Sequence, residues 1–451
     1  MSDLKPNSDS KPNHLTQDNN SVADNVQSFR NFAPYINAHR GKTFVIMFGG
    51  EAVLHANFRE LIHDFALLHS LGIRLVLVHG ARPQIACNLA KAGLVSQVHH
   101  NMRITPTAHL PYILEAVGAI RLQIEAQLSM GLVNSPMYGS RIDVVSGNFI
   151  TARPYGVRDG VDYQMAGEVR AVDTNAIRTN LNHGHMVILG SAGFSATGEI
   201  FNLLAEEVAL ETAMALQADK LIFLGEMGVR RDGELVRELM ANEVQQFLGQ
   251  YLTSDETARM LSCAAKACHQ GIERTHILSY TKNGALIGEL FTRDGVGTLI
   301  SRNSYEHIRK AVADDVAGLL ALLQPLQEQG ILVERGQARL EQEIDCYSVI
   351  ERDGMMVGCV ALYPLDEHSA ELASLAIHPD YQSGNRGADL LVFLEHEARR
   401  LGFNQLFALT TRTAHWFVEQ GFVEVPFTDL PTARQASYHN GRNSKVLKKV
   451  L

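Results

Sequence analysis

The stretch AELASLAIHPDYQSGNRGA, residues 370–388, is an alternating apolar run through Leu372, Leu375 and Ile377 that breaks at His378 and Pro379. It then passes through Gln382, Ser383, Gly384, Asn385, Arg386, Gly387 and Ala388, and a helical pattern over residues 389–401 follows at once. A strand, a loop and a helix in that order leave several backbone N–H groups at the helix N-terminus without intrahelical acceptors, where a diphosphate can sit. The spacing Gln-x-x-Gly-x-Gly/Ala is met loosely, because Asn385 stands where glycine is commoner and Gly384 has moved forward. Taken alone, the loop leaves many phosphate-bearing ligands open.

The chain around it has 451 residues, more than one ordinary core holds, and predicts two or three domains. With 46% hydrophobic and 20% charged residues it reads as a soluble globular protein, without a membrane segment. A net charge of −9 and the lack of a basic tract interleaved with aromatics argue against nucleic acid and favour small-molecule partners. The five cysteines, Cys87, Cys263, Cys268, Cys346 and Cys359, form no C-x-x-C and read as free thiols in a reducing compartment. The paired histidines His99, His100 and His183, His185 lack a third ligand at helical spacing, so no metal is expected. Residues 1–28 are polar, without an apolar segment, and predict a disordered tail rather than a signal peptide, hence a cytoplasmic protein.

From residue 43 to 48 an apolar strand runs into Gly49, Gly50 and Glu51, followed by a helical stretch at 57–71 and a strand at 73–78 that ends at His79 and Gly80. Further strands at 186–189 and 221–224, with helices at 203–217 and 256–270, predict an α/β fold: an open, mostly parallel sheet with helices on both faces. The runs Phe44 to Glu51, His79 to Gln84, and Phe201, Asn202, Leu203 with Glu206 and Glu207 resemble the amino acid kinase fold, in its acetylglutamate-kinase branch, over about residues 35–302. Phosphoryl transfer needs cations against its developing charge. Where the resembling kinases carry lysines, this chain has Met47 and, near the second position, Met260, so kinase chemistry is not expected and Met47 reads as sheet packing.

The segment from His276 to Thr298 resembles instead the arginine-binding signature of arginine-inhibited members of that group. The resemblance implies L-arginine as effector, held by Glu289 as a planar carboxylate and by carbonyls at Gly295 and Gly297, with Lys220 and His276 lining the site. Tyr35 lies in a segment, residues 32–38, that resembles the helix through which such proteins interlace, which implies a homo-oligomer, possibly a homohexamer. Read without the family, Gly295 and Gly297 are an ordinary turn and Glu289 a solvated charge at a strand end.

After Asn303 and Ser304, a plausible linker, come a short strand around Tyr305–Lys310, a helix through Val316, Leu319, Leu320 and Leu323 that ends near Pro325, and a hairpin at 346–362 turning at Asp353 and Gly354. The opening strand and loop follow, then a helix, a strand at 405–410, a helix at 414–420 and a strand at 422–425. That order, with the loop in its place, resembles the GNAT acyl-CoA transferases. The expected organisation is a tail at 1–28, an amino acid kinase-like regulatory domain at 29–302 and a GNAT domain at 305–451.

Both resemblances on one chain, with the stretches 300–331 and 406–412, are similar to the bacterial N-acetylglutamate synthase family over nearly all of residues 30–451. This implies direct transfer of acetyl from acetyl-CoA, the co-substrate, to the α-amine of L-glutamate in the first step of arginine biosynthesis, with feedback inhibition by L-arginine. Glu371 would be the general base and Thr410 the hydroxyl that protonates the thiolate, while a backbone N–H near Ala376 or Ile377 holds the oxyanion. Leu375, Ala376, Ile377 and the loop Gln382, Ser383, Gly384, Asn385, Arg386, Gly387, Ala388 would hold acetyl-CoA. Glutamate would fall to Arg335, Arg434, Tyr438, Arg442 and Ser444, because arginine forks suit carboxylates. As residues alone, a strand-end glutamate is usually solvated, a strand threonine often reflects β-propensity, and one of the three arginines reads equally as a solvated basic face. Trp416 and Phe417 read as core rather than cofactor contacts. Two rivals remain open: a phosphotransferase acting on acetylglutamate, and an arginine sensor whose transferase domain only binds CoA.

Overall fold

Strands that are apolar at nearly every position need cover on both faces. In the computed structural model, which describes residues 14–131, 135–250, 255–302, 306–352, 355–382, 385–436 and 444–451, the chain divides into two compact units, Met1–Asn303 and Ser304–Leu451. The first is built on an eight-stranded sheet of β1 (Thr43–Phe48), β2 (Arg74–His79), β3 (Val144–Val145), β4 (Met186–Leu189), β5 (Lys220–Gly225), β6 (Glu238–Met240), β7 (Arg274–Ser279) and β8 (Thr298–Ser301). Their spatial order is β6-β8-β7-β5-β1-β2-β4-β3, and neighbours are parallel except β7 with β8. Side-chain alternation divides β1 between two cores: Phe44, Ile46 and Phe48 enter one, Val45 and Met47 the other.

Helices cover both faces. Helix α1 (His14–His39) brings Phe32, Tyr35 and Ile36, and α2 (Phe58–Ser70) brings Phe58, Leu61, Ile62 and Phe65, against the Phe44 side. Helices α3 (Ala205–Leu216) and α4 (Asp255–His269) cover the Met47 side. A short helix, α5 (Ala285–Phe291), returns to the α1 side. The expected tail is corrected here: residues 14–28 belong to α1. No glycine or proline stands between His14 and Arg30, so a helix nucleated by the packed turn at Phe32–Ile36 propagates outward through polar sequence.

The second unit is one seven-stranded sheet. Its strands are β9 (Glu306–Lys310), β10 (Tyr347–Arg352), β11 (Met355–Pro364), β12 (Ser369–Ile377), β13 (Gln405–Thr410), β14 (Val423–Val425) and β15 (Lys445–Val450), in the spatial order β9-β10-β11-β12-β13-β15-β14. Helix α6 (Val316–Glu328) and the short α7 (Gln337–Gln342) pack on one face, and α8 (Arg386–Arg400) with α9 (Ala414–Glu419) on the other. Contrary to expectation, α6 runs one turn past Pro325. The linker at Asn303 and Ser304 and the turn at Asp353 and Gly354 lie outside the described residues.

Two irregularities shape the centre of this sheet. Strand β12 pairs with β13 in parallel only from Ser369 with Gln405 to Leu372 with Ala408, beyond which the two strands part. Its antiparallel ladder with β11 shifts register between Cys359 and Ala361, where β12 carries one extra residue. Ser374, in that step, has φ of 51°, a left-handed backbone rare for a non-glycine residue. The bulge and the parting strands open a wedge in the middle of an otherwise closed sheet.

Candidate active site

Two cavities meet at the wedge. One, of about 380 Å3, is walled by Glu371, Arg335, Arg339, Tyr363, Arg434 and Ser444; the other, of about 490 Å3, by Leu375, Ile377, Gln382, Asn385, Gly387, Ala388, Thr410 and Trp416. Leu372, Ala373, Ser374 and Leu409 line both. One chamber is therefore charged, the other lined by apolar side chains, the hydroxyls of Ser374, Thr410 and Thr413, and the start of a helix.

Glu371 stands on β12 just before the strands part and is buried, 8% exposed. Arg434, on the short helix α10 (Thr432–Ala436), grips it as a fork: Nε donates to Oε2 and Nη2 to Oε1 at 3.1 Å. Arg335 lines the same chamber. Its Nη1 donates to the Ser374 hydroxyl and to the Tyr347 hydroxyl at 3.2 Å, and its guanidinium lies over the Tyr363 ring, 4.9 Å from the centroid.

Thr410 ends β13 in the second chamber. Its Oγ1 accepts the backbone N–H of Thr413 at 3.0 Å and that of Arg412 at 3.3 Å, and lies 2.8 Å from the Thr413 hydroxyl. Helix α8 begins at Arg386, and its first intrahelical bond runs from Asp389 N to Asn385 O. The N–H groups of Arg386, Gly387 and Ala388 thus have no helical acceptor, as an anion site at a helix N-terminus requires.

Not every expected residue faces these chambers. The side chain of Arg386 turns back to Glu306, with Nη2 to Oε1 at 2.6 Å and Nε to Oε2 at 2.8 Å, beside Arg352 on the same carboxylate. It offers the loop a backbone N–H, not its charge. Ala376 packs into the core under α6. The bond from His378 N to Val357 O fixes the ladder alternation, so Ala376 N–H points at β11 while those of Leu375 and Ile377 point into the gap. Trp416 and Phe417, expected in the core, both line the second chamber as well. Ser383, Gly384, Tyr438 and Arg442 lie outside the described residues. Ser374, Tyr363 and Arg339 carry no motif and become visible only through the bulge and the cross-strand register, which sets Tyr363 opposite Glu371.

In the first unit, Lys220, His276 and Glu289 form a buried chain. Lys220 Nζ lies 3.4 Å from His276 Nε2, and His276 Nδ1 lies 2.7 Å from Glu289 Oε1. Glu289 is not a solvated strand-end charge: it sits on α5, 5% exposed, where Oε2 accepts the N–H groups of Val296 at 2.7 Å and Gly297 at 2.8 Å. Burial alone would raise its pKa, but the bonds from His276 and the two backbone donors pull it down to about 2. Three internal donors occupy most of the roughly four lone-pair sites of that carboxylate. The carbonyl of Gly295, at φ of 58°, accepts Arg237 Nη1 at 3.2 Å. Tyr35 is partly buried on α1.

A third cavity, of about 290 Å3, opens at the carboxyl ends of β1 and β2 and is lined by Met47, Gly49, Gly50, Arg82, Glu206 and Arg259. The buried Glu206 takes both Arg82 at 2.9 Å and Arg259 at 3.0 Å, so the two cations share one carboxylate. Met47 and Met260 are 2% and 0% exposed and pack one core. No group of three or more His, Cys, Asp or Glu suited to a metal occurs among the described residues, and no helix among them is long and apolar enough to cross a membrane.

A wedge between parallel strands, a buried carboxylate on one side and a helix N-terminus on the other define an acyl-CoA transferase, here joined to an amino acid kinase-like unit. Comparison with known proteins agrees: residues 42–279 match the amino acid kinase family and residues 318–422 the acetyltransferase (GNAT) family. The chain is 52% identical to an amino-acid acetyltransferase of Pseudomonas putida (strain GB-1) over 433 residues, 95% of this chain and 100% of that one. An amino-acid acetyltransferase of Azotobacter vinelandii is 50% identical over the same shares. The crystal structure of N-acetylglutamate synthase from Neisseria gonorrhoeae, complexed with coenzyme A and L-arginine, matches with a TM-score of 0.86 at 37% identity, covering 94% of this chain and 99% of that one. The same synthase complexed with coenzyme A and N-acetyl-glutamate matches with a TM-score of 0.61 at 38% identity over the same shares. The chain belongs to the amino-acid acetyltransferase family, and it is an acyltransferase with acetyl-CoA as co-substrate.

Proposed function

We propose that this protein transfers the acetyl group of acetyl-CoA directly to the α-amine of L-glutamate, as the first step of L-arginine biosynthesis, and that L-arginine inhibits it. The observation that carries the reading is the pairing of a cation-walled chamber with a helix-capped one across the β12–β13 gap. The diphosphate of acetyl-CoA lies at the start of α8, and its thioester reaches the gap, where Leu375 or Ile377 N–H holds the developing oxyanion. Glutamate enters the charged chamber with its carboxylates on Arg335, Arg434 and Ser444, together with Tyr438 and Arg442.

At neutral pH the α-amine arrives protonated, so a base must act before attack. Glu371 takes that proton, directly or through one water. In the free protein its lone pairs are held by Arg434, the same fork a substrate carboxylate would take, so binding exchanges one carboxylate for another and frees the base. The amine nitrogen then bonds to the carbonyl carbon, and as the tetrahedral intermediate collapses and the C–S bond breaks, Thr410 gives its hydroxyl proton to the leaving thiolate while the second proton of the attacking nitrogen passes to the Thr410 oxygen, so the hydroxyl is restored. A homo-oligomer interlaced through the α1 segment around Tyr35 and a cytoplasmic location complete the proposal.

Thiol release from acetyl-CoA in the presence of L-glutamate tests it. Glu371→Gln should lower kcat by about 10²- to 10⁴-fold, the range for loss of a positioned base. No glutamate-dependent release by the wild type, or unchanged release by the variant, would sink the reading.

A further inference from the structure

Glu343, at the end of α7, is a carboxylate next to the cation that should receive the acceptor. Its Oε1 accepts Arg339 Nε at 2.8 Å and its Oε2 accepts the Tyr363 hydroxyl at 2.6 Å. Arg335 Nε stands 3.9 Å from the same Oε2, beyond hydrogen-bond reach, and is buried without any hydrogen-bond partner. A guanidinium N–H in ion-pair range of a carboxylate gains a charge-assisted hydrogen bond if the two can close. The Tyr363 hydroxyl, bonded to Oε2, holds that oxygen back from Nε. The Tyr363 ring also supports the face of Arg335, while Ser374 from the bulge and Tyr347 from β10 tether Nη1.

We propose that Tyr363 is a positioning residue for acceptor recognition: by holding Glu343 Oε2 at 3.9 Å from Arg335 Nε it keeps that ion pair from closing into a hydrogen bond and leaves the guanidinium N–H groups available to an acidic acceptor. The inference rests on the reading of the charged chamber as the glutamate site. Burial and the bond to Glu343 hold the Tyr363 phenol protonated well above its ordinary range, so the donor persists at every working pH. Tyr363 opposes Glu371 in the β11–β12 register, which ties the support of the cation to the strand that carries the base.

The test is a steady-state comparison of wild type, Tyr363→Phe, Glu343→Gln and the double variant, with glutamate and acetyl-CoA varied separately. Phenylalanine keeps the ring and removes the hydroxyl, so Oε2 closes on Arg335 Nε and the KM for glutamate rises about tenfold or more, the scale of one charge-assisted hydrogen bond, while the KM for acetyl-CoA holds. Adding Glu343→Gln removes the competing charge and returns the glutamate KM to within about threefold of wild type, a coupling that simple loss of packing does not produce. Glu343→Gln alone leaves the glutamate KM at or below the wild-type value. A glutamate KM unchanged in Tyr363→Phe, a loss that the second substitution fails to recover, or a tenfold rise in Glu343→Gln alone would overturn the proposal. Absence of glutamate acetylation by the wild type would overturn the underlying reading and the proposal with it.

Discussion

Thr410 has two tasks that a single substitution can separate. Its Oγ1 accepts the N–H groups of Arg412 and Thr413 and so fixes the turn into α9, while its one proton is free to go to a leaving group or to the Thr413 hydroxyl. Thr410→Val removes both functions and should lower kcat by about 10- to 100-fold, with about 1 kcal/mol lost from the helix start. Thr410→Ser keeps the oxygen and should hold kcat within about threefold, which rate and melting measurements on the two variants will check. Glu371 and Thr410 were singled out only through the family resemblance: read as residues, a strand glutamate is usually solvated and a strand threonine often reflects β-propensity, and the structure places Glu371 near the start of β12 and Thr410 at the end of β13. The role of Arg386 was not legible: its partner Glu306 is 80 residues away, and no local pattern says which carboxylate a cation meets. The same holds for Glu289, whose internal donors come from a turn that folds back on α5. Ser374 was hidden for another reason: the extra residue of the bulge breaks side-chain alternation between Leu372 and Leu375, which share one core, and only the pairing reveals it.

At the scale of elements, periodicity served well where one element satisfies its own hydrogen bonds or repeats along a buried sheet. The strand expected at 43–48 is β1, and the helix expected at 57–71 is α2, Phe58–Ser70. Strand β15 escaped notice because its sequence, Lys445–Val450, is half charged and its place between β13 and β14 depends on partners far along the chain. Helix α2 carries a testable electrostatic cost. Asp64 has a buried Oδ2 without a hydrogen-bond partner, and burial, with Glu60 nearby, raises its pKa from 3.8 to about 7. Folded protein therefore keeps a proton that unfolded chain releases between those values, so the stability this group contributes is present at low pH and lost as pH rises through 7. Asp64→Asn should be nearly neutral at pH 4 and stabilising at pH 8 by on the order of 2 kcal/mol, allowing for a part-exposed side chain. Melting curves of the two proteins at both pH values decide it; equal shifts at pH 4 and pH 8 count against a titrating origin.

On the scale of the whole molecule, each unit was readable as a contiguous run of elements, because neither core borrows strands from the other half of the chain. Regulation was readable only through resemblance, and the structure replaces the expected free carboxylate with the chain Lys220, His276 and Glu289. If arginine binds around that chain, Glu289 also acts by ordering the Val296–Gly297 backbone. His276 then becomes the sensitive point. Burial first, and Lys220 second, lower its pKa, so it is a neutral ring whose Nδ1–H can serve Glu289. His276→Ala leaves a buried carboxylate short of one donor and loosens the turn that presents the Gly295 carbonyl. Inhibition is a coupling between two sites and typically amounts to about 5- to 150-fold. The rate with saturating arginine, divided by the rate without it, should fall into that range below one for the wild type and move towards one for His276→Ala. Reciprocity gives an independent check: glutamate and acetyl-CoA must weaken arginine binding to the wild type by the factor with which arginine weakens theirs. A wild-type ratio of one would remove arginine as an effector, whereas equal inhibition of both proteins would keep arginine and move its site away from His276.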